Sequence, residues 1–194
     1  MGMIFQSLGR TIIAGLVILA IILGIAGTYA KIGEAFYWLF FVRWLHVLSG
    51  VLWIGLLWYF NFVQIPSMAK IPDEQKPAIS KVIAPTALFW FRWAALATVV
   101  TGVSLAEMLG YAGPALSLQA PVTAIGLGMW MALIMAFNVW FIIWPNQKKA
   151  LGIVPVEPDA KAKAARMAML TSRFNTMLSI PMLYCMVAQQ NGGL

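Results

Sequence analysis

Five apolar runs, at about 11–29, 37–64, 85–109, 120–144 and 167–189, dominate this 194-residue chain and constrain its fold more than any other feature. Each reaches the roughly 20 residues that a helix needs to cross the hydrocarbon of a bilayer, where every backbone N–H has to be bonded within the helix itself. The expected fold is therefore all-α, an integral membrane bundle of about five transmembrane helices in a single domain. Only 10% of residues are charged and the mean hydropathy is +0.85, against about a quarter charged in a soluble domain. Nine Trp and eleven Phe suit lipid-facing and interfacial positions better than a soluble core of this size. The run after Arg10 is longer than a signal-peptide core and reads as a retained span. Pro66, Pro85, Pro121 and Pro145 fall near the run ends, where proline stops a helix or opens its first turn.

The net charge of +7 would in a soluble protein suggest a nucleic-acid partner. Here the basic residues sit mainly in the loops between apolar runs, so no nucleic acid is expected and the lipid bilayer is the surrounding partner. Arg10, Lys70, Lys76, Lys81, Lys148, Lys149, Lys161, Lys163 and Arg166 share one side, and Lys31 stands alone on the other. Under the positive-inside rule this puts the amino terminus in the cytoplasm and, with five spans, the carboxyl terminus in the periplasm. The longest loop, Asn146 to about Arg166, carries Pro155 and Pro158 and then Asp159 at a helix start, so the last helix is expected to begin in the cytoplasm and run into the membrane unbroken.

Ionisable and amide side chains inside spans cost about 2.5 to 3.5 kcal/mol when charged, which makes them candidates for function. Depth along antiparallel helices places Asn61, Gln64, Arg92, Asn138, Asn146, Arg173 and Asn175 in one inner layer. Two guanidinium groups among amides could hold an anionic or amide-rich planar ligand. The plainer reading is interhelical polar glue with arginines reaching the headgroups. His46, the sole histidine, shares a helical face with Arg43, Gly50, Trp53, Leu57, Asn61 and Gln64, so it points into the bundle. A neutral imidazole there could ligate haem iron or relay a proton, or simply bond a neighbouring helix. One histidine excludes bis-histidine haem within one chain. His/Met ligation and a haem shared across a homo-oligomer stay open. Cys185 alone can form no disulfide within the chain, and Glu107 is the one candidate intramembrane acid. No CxxCH, GxGxxG or Walker loop occurs.

The strings RWLHVLSGVLWIGLLWYFNFVQIP, FWFRWAALATVVTG, NVWFIIWPNQKKAL and SRFNTMLSIPMLYCMV, in this order, resemble the membrane domain of the bacterial membrane-bound urate hydroxylase, the urate oxidase amino-terminal family. The resemblance spans roughly 37–187. It implies a bacterial inner-membrane protein acting in urate oxidation or in electron transfer to a cytochrome c or another redox membrane subunit. Full-length members carry a carboxyl-terminal cytochrome c domain, so a short stand-alone relative is expected. His46, Arg43 and the PNQKK helix end carry over, with His46 and Arg43 as the implied catalytic pair. Ala94 and Phe174 stand where the family pattern has an acidic residue and a histidine. The alternative is a non-catalytic membrane subunit of a redox complex, whose Gly50, Gly55, Gly126 and Gly128 allow close helix contact. A transporter is disfavoured, because two similar halves with broken helices are not visible.

Overall fold

The structure, a computed structural model, describes residues 2–193. Among them the chain is helical with no strand, and it divides into two compact units with the boundary between Phe41 and Val42. The first unit contains α1 (Leu8–Ile25), a 3₁₀ turn (Thr28–Lys31) and the beginning of α2 (Ala35–Met68). No residue of α1 is buried, as expected of a helix whose apolar side chains are solvated by lipid rather than by protein. Its expected span, 11–29, is displaced by about one turn, because Gly27 adopts a left-handed conformation (φ 67°) that ends the helix earlier. Tyr37 and Phe41 stack at the start of α2.

The second unit packs the remainder of α2 with α3 (Lys76–Met108), the short α4 (Ala112–Leu116), α5 (Thr123–Ala150) and α6 (Pro158–Asn191). Four helices, α1, α2, α3 and α5, are long and apolar enough to cross a membrane. The fifth expected span, 167–189, lies inside α6. That helix has 34 residues, about 50 Å at about 1.5 Å each, which exceeds a bilayer's roughly 30 Å of hydrocarbon. Its hydropathy is diluted by the exposed Asp159, Lys161, Lys163, Arg166 and Arg173, while Ala164, Ala168, Ser172, Asn175, Ser179, Met182, Cys185 and Ala188 recur at three- and four-residue spacing on one buried face. These mostly small side chains let α6 lie close along α5.

Three prolines expected at helix ends are instead carried within continuous helices. Tyr59–Gln64, Ile79–Ile83 and Asn138–Ile143 are π-helical, and Pro66, Pro85 and Pro145 each follow two residues after such a segment. A proline ring collides with the carbonyl four residues earlier and offers no N–H. Widening the preceding turn clears that carbonyl, so the helix continues where it would otherwise break. Pro181 is likewise internal to α6. Pro121 alone of the four precedes a helix start.

The core joins Trp53, Leu57 and Phe60 of α2 to Leu88, Phe91, Ala94 and Ala95 of α3, Met135, Val139 and Ile143 of α5, and Met182 of α6. A smaller cluster places α4 under α5 through Ala112, Ala115, Ile125 and Met129. Gly126 makes that contact: a Cβ there would lie 2.0 Å from the Ala115 carbonyl oxygen. Gly128 sits against Cys185 and Met186, whereas Gly50 is only in ordinary contact range of Thr98 and Gly55 faces open space.

Candidate functional site

His46 stands on the α2 face that continues into the buried Trp53 and Leu57, and its ring is pressed against α3. Nδ1 lies 2.9 Å from the Thr98 carbonyl oxygen and 3.2 Å from Thr101 Oγ1. A carbonyl only accepts, so Nδ1 carries the hydrogen, and in the neutral ring Nε2 keeps the free lone pair. Thr101 spends its own proton on the Ala97 carbonyl at 2.6 Å, which leaves its oxygen to accept from the imidazole. Gly102 provides the room, since a Cβ at that position would meet His46 Cε1 at 2.7 Å. Thr98, Thr101 and Gly102 were not among the residues expected from the sequence to matter. The signal was the TVVTG string, whose Thr98, Thr101 and Gly102 fall at helical spacing on one face.

A cavity of about 640 Å³ lies beside this histidine, within the second unit. Trp53, Ile54, Met129 and Met182 form buried parts of its wall, and its bordering polar side chains are Arg43, His46, Thr98, Tyr111, Gln190 and Asn191. Among the described residues no carboxylate lines it. Two donors on the wall have no partner: Nε1 of the fully buried Trp53 and Nε of Arg43. Half-burial pushes the Tyr111 phenol above its usual pKa, with the Arg43 charge pulling it part of the way back, so it remains an O–H donor at neutral pH. Glu107 is exposed and Cys185 is buried on the side of α6 that meets Gly128. No cluster of three or more His, Cys, Asp or Glu suited to a metal occurs among the described residues.

The expected inner layer separates into pieces. Asn138 Nδ2 donates to Asn175 Oδ1 at 2.8 Å, and Asn175 Nδ2 donates to the Met135 carbonyl at 2.9 Å, both asparagines being buried. Asn61 Nδ2 donates to Ser172 Oγ at 2.8 Å and to the Leu57 carbonyl. Asn146 Nδ2 donates to the Ile142 carbonyl one turn earlier in its own helix. Arg92 lays its guanidinium 3.3 Å from the centre of the Trp144 ring, with Trp140 beside it, an interaction worth about 0.5 to 2 kcal/mol. Gln64 is half-buried, its Oε1 without a partner. Arg173 is exposed and is not brought to the other six. Two residues separate by about 200° around a helix, so Arg173 cannot share the buried face of Asn175.

The family model described as urate oxidase N-terminal matches residues 116–192. Over these residues the chain is similar to that family. The matched segment contains α5 and α6 entire, with the NVWF and SRFN strings, the Asn138–Asn175 bond and the Met129 and Met182 walls of the cavity. His46 and the rest of α2 lie outside it. No curated protein and no solved structure matches the chain.

Proposed function

We propose that the chain is a redox subunit of the bacterial inner membrane, related to the membrane domain of urate hydroxylase, in which His46 handles the proton. One observation carries this reading: Nδ1–H is fixed on the Thr98 carbonyl, so a neutral imidazole with a free Nε2 borders a cavity of ligand size. Such a ring can take a proton at Nε2 from a donor bound in the cavity, and the Thr98 carbonyl dipole stabilises the imidazolium that results. Arg43 and Trp53 offer donors to any oxygen that develops negative charge there. The amides deeper in the bundle hold α2, α5 and α6 together and serve as glue.

A second reading has its own observation, the thioethers of Met129, Met182 and Met186 on the same cavity. An imidazole Nε2 and a thioether are a donor set that haem iron accepts, and a haem held there would supply one-electron transfer. His46 and one of the methionines would hold it, with Arg43 available to its carboxylates.

The deciding experiment is an absorption spectrum of the detergent-purified protein and of His46→Ala, alongside urate-dependent cytochrome c reduction in membranes. A colourless protein whose activity falls at least a hundredfold in His46→Ala supports the relay, since general acid–base groups contribute about 10² to 10⁴. A Soret band that vanishes in His46→Ala replaces the relay with haem ligation. A colourless protein with undiminished activity in His46→Ala removes both and leaves the non-catalytic subunit.

A further inference from the structure

We infer that the His46 cavity is a binding site for a lipid-soluble quinone. Three independent features of the cavity select this ligand class. The first is access. Val47, Val51, Val103 and Val187 line the cavity and are themselves 40 to 68% exposed on the apolar surface. The cavity therefore opens sideways, toward the side chains that meet lipid, and an apolar ligand enters from the bilayer.

The second feature is the donor set. Trp53 is 0% exposed, yet its Nε1–H has no acceptor, and Arg43 Nε is buried in the same condition. A buried donor left unsatisfied has lost its hydration with nothing to replace it. Trp53 lies about two turns from His46 on the same face of α2. Gly50 presents no side chain between the two. A ligand that satisfies these donors carries hydrogen-bond acceptors. An acyl chain has none.

The third feature is what is missing from the wall. Among the described residues no carboxylate lines the cavity, which disfavours a cationic ligand and suits one whose oxygens gain negative charge. A quinone combines these properties: a planar ring with two carbonyl acceptors and an apolar tail that can remain in lipid. This rests on the redox reading for its purpose, but the binding itself is tested separately.

The test is saturable binding of decylubiquinone to the purified protein in detergent, counted as quinone retained with the protein after spin filtration, with decylbenzene as a competitor that has the apolar body but no carbonyl. One quinone per chain is expected, undisturbed by equimolar decylbenzene. Trp53→Phe removes the N–H while preserving most of the packing and should weaken binding about tenfold, the effect of one hydrogen bond of about 1.4 kcal/mol. Should Trp53→Phe not yield folded protein, Arg43→Gln decides alone, with several-fold weakening expected. Displacement by decylbenzene, or wild-type binding in both variants, makes the cavity a lipid groove and overturns the inference, as does a resident haem that blocks quinone uptake. Quinone binding together with an active His46→Ala keeps the inference and removes only the relay. Absent binding together with an inactive His46→Ala does the reverse.

Discussion

Gly102 decides where the imidazole of His46 can sit. In Gly102→Ala the new methyl would lie 2.7 Å from Cε1 and 3.1 Å from Nδ1, so either the ring leaves the Thr98 carbonyl or the two helices part. Overpacking of this kind costs about 1 to 3 kcal/mol. The expected outcome is a lower melting temperature in detergent together with loss of any His46-dependent activity, and an unchanged melting temperature would show that the ring is not held here. That His46 faces the bundle was legible from the spacing of Arg43, Gly50, Trp53 and Leu57. Its partner was not, because Thr98 lies 52 residues away and nothing local on α2 encodes the pairing. Asn138 and Asn175 were read at the same depth and do bond, but Arg173 was placed with them by depth alone. Depth counts residues along the axis, whereas contact also depends on the angle around it, and the buried stripe Ser172, Asn175, Ser179 excludes Arg173 from that side. The reward for such interhelical amide bonds in a membrane is modest, about 0.6 kcal/mol on average.

Among the elements, the prolines show where sequence patterns are ambiguous in a physical sense. A proline at the first turn of a helix and a proline tolerated inside one carry the same local signature, and only the geometry of the preceding turn separates them. Pro66, Pro85 and Pro145 are of the second kind, each preceded by a widened π turn. The glycines expected to allow close contact divide in a similar way, and two of them form a paired prediction. Gly126→Ala would drive a methyl into the Ala115 carbonyl, a backbone group that cannot swing aside, so α4 must separate from α5. A loss of about 3 kcal/mol is expected, seen as a large drop in melting temperature. Gly55→Ala meets nothing within 4 Å and removes a glycine from the middle of α2. It should be neutral or stabilising by up to about 1 kcal/mol. Equal effects of the two substitutions would mean that α4 does not rest on α5 as described.

In the molecule as a whole, charge and cavity are segregated along the second unit. The cavity takes its walls from the first half of α2, the last part of α3, the first half of α5 and the end of α6. The basic loops, with Lys70, Lys76 and Lys81 and then Lys148 to Arg166, join the opposite ends of those helices. The proposed orientation, with the basic end cytoplasmic under the positive-inside rule, puts the cavity in the periplasmic half. This orientation depends on α6 crossing the membrane, the one span whose hydropathy does not announce it, since exposed charges such as Arg166 and Arg173 dilute it. Alkaline phosphatase fused after Lys161 should be inactive and fused after Asn191 should be active, because the enzyme folds only outside the cytoplasm. An inactive Asn191 fusion would leave α6 on the cytoplasmic side with four crossings in the chain, and an active Lys161 fusion would invert the bundle and put the His46 cavity on the cytoplasmic side.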